Sequence, residues 1–160
     1  MVKIGIIGCG KIAQVRHIPE YLDNPNAKLT GLYDLNLQRA KDLAEKYNCK
    51  SYESVEEMLA DPEIDAVSVC VANHVHAEIT IAALKAGKHV LCEKPMATKL
   101  KDCQMMVDTA EQMSKKLMIG QNQRFAKAHA EAKNSSSVEI SEAFLLSKQH
   151  SDMAVRKHGV

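Results

Sequence analysis

Val2-Lys3-Ile4-Gly5-Ile6-Ile7-Gly8-Cys9-Gly10-Lys11-Ile12-Ala13 is the stretch on which the fold turns. An apolar run ends in Gly8-x-Gly10-x-x-Ala13 and passes into residues that continue as a helix. A strand turning sharply into a helix gathers free backbone N–H groups and the positive end of a helix dipole at one point, which suits a pyrophosphate. Gly8 is expected to make the tight turn, Gly10 to let the backbone approach the phosphates, and Ala13 to let helix and strand pack closely. Glycines after a strand are common without any ligand, so the downstream sequence has to decide.

Working outward, residues 11–16 start a helix and Pro19 opens a further turn through Leu22. Asp23-Asn24-Pro25-Asn26 is a turn cluster, and Ala27 to Tyr33 is a strand ending on Asp34. Leu37, Ala40, Leu43 and Ala44 lie at helical spacing within residues 36–47. A short strand over residues 49–52 precedes Ser54-x-x-Glu57, a capping box that starts a helix to about Ala60, before Asp61-Pro62. Residues 66–71 form a continuous apolar run, as in a strand buried on both faces. Asn73 is expected to cap a helix to Ala86, closed by Gly87. A strand over 89–92, a long helix over 100–116 and a strand over 117–120 complete the alternation. Such alternation predicts an α/β fold, a doubly wound parallel sheet of Rossmann type with a nucleotide at the carboxyl ends of its strands.

The last forty residues read differently. A helix over 124–133, a linker at Asn134-Ser135-Ser136-Ser137 and a strand over 138–148 give only the start of a second α/β domain. One such element cannot bury its own face. The expected division is 1–121 as an NAD(P)-binding Rossmann domain and 122–160 as a connecting helix with the truncated start of a second domain, which the family resemblance described below implies to be a substrate and dimerisation domain.

Composition narrows the function classes. The 160 residues are 46% hydrophobic and 26% charged, with a net charge of +1. That balance gives no electrostatic case for nucleic acid or an anionic membrane, and no apolar segment is long enough to span a bilayer. Met1 directly before the first strand leaves no room for a signal peptide, so a cytoplasmic location is expected. The five cysteines, Cys9, Cys49, Cys70, Cys92 and Cys103, form no C-x-x-C pair and read as small buried hydrophobes.

The chemistry lies at expected strand ends. Asp34 stands about twenty residues beyond Ala13, where a carboxylate accepts hydrogen bonds from the ribose hydroxyls and repels a 2′-phosphate. NAD is therefore expected, with NADP as the alternative, because Arg39 one turn on can attract a phosphate. His74-Val75-His76 invites a metal, but helical residues two apart face different ways, so no metal site is expected. Glu93-Lys94-Pro95 follows the fifth strand. A lysine there can donate to a substrate oxygen or exchange a proton, Pro95 fixes the chain direction, and the Lys94–Pro95 bond is a candidate for the cis form.

Taken in order, Gly8-Cys9-Gly10-Lys11-Ile12-Ala13, Asp34, Asn73-His74-Val75-His76-Ala77-Glu78, Ala86 to Ala97 with Glu93-Lys94-Pro95, and Gly120-Gln121-Asn122-Gln123-Arg124-Phe125 resemble the Gfo/Idh/MocA family of glucose–fructose oxidoreductases and inositol dehydrogenases. The resemblance covers residues 1 to 125; its Glu-Lys-Pro block is far more specific than its glycines. It implies NAD(P)-dependent hydride transfer at a sugar or cyclitol hydroxyl, with Lys94 as the catalytic acid/base. It places Gly8, Cys9, Gly10, Lys11, Ile12, Asp34, Arg39, Ala72, Asn73, His76, Glu93 and Lys94 around the cofactor, with Gln121 and Arg124 at its outer edge. Ala72 departs from the proline that many members carry before the asparagine. The family's C-terminal domain, with its Asp/His pair and the open-faced sheet used for homo-oligomers, has no counterpart here, since Asp152 and His158 do not fit the motif. The alternative is accordingly a dinucleotide-binding module without turnover.

Overall fold

A computed structural model of the chain describes residues 1–128. Six strands, β1 (Val2–Ile7), β2 (Ala27–Tyr33), β3 (Lys50–Ser51), β4 (Ala66–Val69), β5 (His89–Cys92) and β6 (Leu117–Ile119), form one sheet in the order β3-β2-β1-β4-β5-β6. Every pairing is parallel. The strand order reverses between β1 and β4, and the crevice above that reversal is where a doubly wound sheet binds ligands.

Alternation along the strands sends neighbouring residues to opposite faces. Ile6 joins one buried cluster, with Ala13, Ile18, Leu29, Leu32 and Ala44. Its neighbour Ile7 joins the other, with Met58, Val67, Val69, Leu84 and Met106. The first cluster is covered by a helical run over residues 11–23 and by α2 (Leu37–Tyr47), whose N-terminal Asn36 accepts the Arg39 N–H. α3 (Val55–Ala60), α4 (His76–Lys85) and α5 (Leu100–Gln112) contribute to the second. α1 denotes Ile18–Asp23, the last part of the first run.

Local chemistry explains most boundaries. Ser54 Oγ accepts from Glu57 N–H at 3.0 Å, while the Glu57 carboxylate reaches Glu53 N–H instead of the Ser54 N–H of a standard capping box. Gly87, at φ +79°, closes α4. Three expectations are corrected. The first helix carries an unexpected π-helical stretch, Ala13–His17, while Pro19 does stand in the first turn of the segment that follows, where its missing N–H costs nothing. α4 is entered through a 3-10 turn, Asn73–Val75, with no side-chain bond from Ala72 or Val75 at the caps. α5 stops at Gln112, with Ser114 left-handed at φ 51°.

The chain separates into two compact units, residues 1–121 and 122–160. In the second, a 3-10 turn, Asn122–Phe125, covers the first two residues of the helix expected over 124–133, and residues 127–128 are helical. The rest of that helix, the linker, the strand over 138–148, Asp152 and His158 lie outside the described residues. No helix among the described residues is long and apolar enough to cross a membrane.

Candidate dinucleotide site

β1 delivers the glycine turn to the carboxyl edge of the sheet. Gly8 has φ +94°, and a Cβ on it would lie 2.6 Å from the carbonyl oxygen of Cys70. Only glycine fits there, both for its backbone angle and for the closeness of the chain leaving β4. Gly10 is the opposite case. A Cβ on Gly10 would meet nothing within 4 Å, so its missing side chain leaves open space above the start of the helix. The first N–H groups of a helix lack carbonyl partners within it. Open room over such donors is the cradle a pyrophosphate needs.

Asp34, at the end of β2, is 7% exposed and holds the loop. Its Oδ2 accepts the Cys9 N–H at 2.7 Å and its Oδ1 accepts the Asn36 N–H at 2.8 Å. Arg39 Nη1 lies 3.3 Å from both oxygens. The aspartate thus ties the glycine turn to β2 and presents its remaining lone pairs to the crevice beside a half-exposed guanidinium.

A cleft of about 590 Å³ opens over the point where the strand order reverses. That volume is in the range of small-molecule and cofactor sites. Gly8, Gly10, Asp34, Arg39 and Ala72 all line it, drawn together from the ends of β1, β2 and β4 and the first turn of α2. Leu35, Val71 and Ile79 add apolar wall, and His74 and Glu78 stand on the α4 side. Val71 and Ile79 carry no sequence signal beyond ordinary hydrophobicity, so only the fold brings them here. Leu35, which directly follows the acid, is 91% exposed, unusual for a leucine and legible only as a missing cation.

Other expected contacts are redistributed. Cys9 faces inward. Its side chain is fully buried, its N–H is occupied by Asp34, and its thiol points to the Tyr33 carbonyl at 3.5 Å. Burial and then the Asp34 charge push that thiol up to about 12, and burial also raises those of Cys70 and Cys92. These are packing residues with no thiolate character at neutral pH. His76 faces inward as well. It is 1% exposed, with Nδ1 2.7 Å from the Pro95 carbonyl and Nε2 3.1 Å from the Val71 carbonyl. Its ring clamps two loops of the site and does not face the cleft.

Lys11, Ile12 and Asn73 are exposed. Gln121 is exposed, and the side chain of Arg124 is outside the description. Glu93 and Lys94 follow β5, where the Lys94–Pro95 peptide is cis. Lys94 is exposed, and Glu93 is half-buried, with Oε1 2.8 Å from His17 Nε2 and Oε2 accepting the Lys94 N–H at 3.1 Å. No metal-binding cluster occurs among the described residues.

A turn that only glycine can make, an acid at the neighbouring strand end and a cleft above the strand reversal match the profile of an oxidoreductase family, the Gfo/Idh/MocA NAD-binding Rossmann fold, over residues 2–121. The chain belongs to that family. It is 42% identical over 125 residues to glucose-6-phosphate 3-dehydrogenase of Bacillus subtilis, covering 78% of this chain and 35% of that protein. Against myo-inositol 2-dehydrogenase of Thermotoga maritima it is 35% identical, with 78% and 37% covered. A 3-ketoreductase from Actinomadura kijaniata, solved with NADP and TDP-benzene, superposes with a TM-score of 0.72 at 32% identity, over 74% of this chain and 37% of that one. The chain therefore spans about a third of the length of the relatives it matches. Its Rossmann domain is of the NAD-binding kind, and both NAD and NADP are consistent with the family.

Proposed function

We propose that this chain is the dinucleotide-binding portion of an NAD(P)-dependent oxidoreductase acting on a sugar or cyclitol hydroxyl or carbonyl, with Lys94 as acid/base and NAD preferred. The observation that carries the reading is a convergence. The glycine turn, Asp34 and the Glu93-Lys94-Pro95 turn all sit at the carboxyl edge of one parallel sheet, on β1, β2 and β5.

When bound, the nicotinamide accepts or supplies the hydride. Gly8 and Gly10 let the backbone donate to the phosphates, and Asp34 accepts from ribose hydroxyls while holding the loop. Lys94 donates a proton to a substrate oxygen in the reductive direction and takes the hydroxyl proton in the oxidative one. Glu93 keeps the lysine's backbone in place through the Lys94 N–H.

The exposure of Lys94 favours a second reading, a binding module without turnover. Hydride transfer and its proton step gain from exclusion of water, and an exposed lysine lacks it. The chain is expected to bind NAD(H) and to oxidise sugars very slowly or not at all. Calorimetry with NADH and absorbance of NADH formed from NAD with a panel of sugars and inositols decide between the readings. Brisk turnover that falls about 10²–10⁴-fold in Lys94→Ala establishes the enzyme and its acid/base. Turnover unchanged in that variant removes Lys94 from the chemistry, and absence of NADH binding removes both readings.

A further inference from the structure

The helix that begins at the glycine turn does more than present N–H groups. Its π-helical stretch ends on His17, which is 7% exposed and lies beneath the turn that carries Lys94. A carboxylate oxygen accepts, so His17 Nε2 carries the hydrogen and donates to Glu93 Oε1 at 2.8 Å. The other Glu93 oxygen is occupied by the Lys94 N–H. Gly120, just after β6, borders this carboxylate, and a Cβ there would meet it at ordinary contact distance, 3.4 Å. Tyr21, one turn beyond His17, tilts against the imidazole at 6.1 Å between centroids and pairs its hydroxyl with Ser68 of β4. The imidazole is thereby held on one side by an anchored tyrosine and on the other by the carboxylate.

We propose that His17 is a positioning residue that couples the phosphate-binding turn to the Glu93-Lys94 turn, setting the nicotinamide end of the site while leaving the adenosine end alone. The inference rests on the dinucleotide reading above. A buried carboxylate is costly unless donors meet it, and an apolar pair would fill the same space at lower cost. Here the pair sits at the strand edge, with the carboxylate adjoining Lys94. Widening the helix over Ala13–His17 redirects the side chains that follow, and π-bulges are frequent at functional sites.

The test compares NADH with ADP-ribose, which lacks the nicotinamide, on the 160-residue chain by calorimetry. His17→Ala is expected to weaken NADH roughly tenfold, because Glu93 and Lys94 then have to be ordered on binding, and ADP-ribose less than about twofold. His17→Gln, which keeps a donor, is expected to recover NADH affinity to within about threefold of the parent. Equal loss of both ligands, no loss of either, or failure of the glutamine to rescue overturns the proposal. Should His17→Ala not fold, the imidazole ¹⁵N resonances of His17 in the unaltered protein decide. They are expected to move with NADH and stay still with ADP-ribose, and the same shift from both ligands overturns the coupling. Failure to bind ADP-ribose at all refutes the dinucleotide reading itself, which is a different result from loss of the NADH preference.

Discussion

The two edges of the sheet handle polar groups in opposite ways. At the amino edge, charges close on one another. Lys50 Nζ reaches Asp61 and Glu63 at 2.9 Å each, Lys3 reaches Glu63 at 3.1 Å, and the Tyr52 hydroxyl donates to Asp61 at 2.8 Å. Lys88, 7% exposed, donates to the carbonyls of Asp61 and Ile64 at 2.7 and 2.8 Å. At the carboxyl edge, buried side chains hold loops so that other groups are left facing open space. Asp34 holds the glycine turn, His76 clamps the loops after β4 and β5, and His17 holds Glu93. The lesson is that one edge is stitched for stability and the other is stitched so that donors and Lys94 remain available.

The sharpest way to break that contrast lies within the glycine turn. Gly8→Ala places a methyl group against the Cys70 carbonyl at a backbone angle that alanine avoids, and about 2–5 kcal/mol of stability is expected to go. Gly10→Ala puts the same methyl into open space, so the urea midpoint is expected to stay within about 0.5 kcal/mol of the parent while NADH affinity falls at least about tenfold. Urea unfolding followed by calorimetry on each variant separates a glycine needed by the fold from one needed by the ligand. If Gly10→Ala binds NADH normally, the phosphates do not lie over this turn.

How much of this was legible beforehand follows from the range of each interaction. The glycine turn, the Ser54 cap, the Gly87 stop and the strand alternation are local patterns, and the doubly wound character follows from the right-handed crossover rule, while the strand order itself is set by packing. Asp34 was legible as an acid at a strand end, but not as the partner of the Cys9 N–H, because that bond depends on how close β1 and β2 run. His17 and Glu93 stand 76 residues apart and meet only through packing. The spacing of His74 and His76 sets the two rings on different faces, but it could not show that His76 is buried between two carbonyls. The inward turn of the Cys9 side chain was not legible either, because a residue inside a glycine turn carries no local signal of which way it faces.

The amino edge gives smaller effects. Lys88→Met keeps the length of the side chain and removes its charge, leaving the carbonyls of Asp61 and Ile64 without their donor. Burial already holds the Lys88 ammonium below its ordinary range, so relief of that penalty offsets part of the loss. A net destabilisation of about 1–3 kcal/mol is expected in urea, with NADH affinity unchanged. A fall in affinity would mean that the two edges are not independent.

The smallest effect is a dependence on pH. The Glu63 N–H, Lys50 and the Tyr52 hydroxyl, in that order, hold the Asp61 carboxyl at about 2, below its ordinary 3.8. A depressed acid stabilises the fold above its ordinary value, and that contribution disappears as the pH falls through the folded value. Asp61→Asn is therefore expected to lower stability at pH 7 by less than about 1 kcal/mol, since the charges around it are largely in water. Between pH 4 and pH 2 the gap between variant and parent should close. Urea midpoints across that interval check it, and a gap that stays constant with pH would assign the role of Asp61 to its hydrogen-bond geometry and not to its charge.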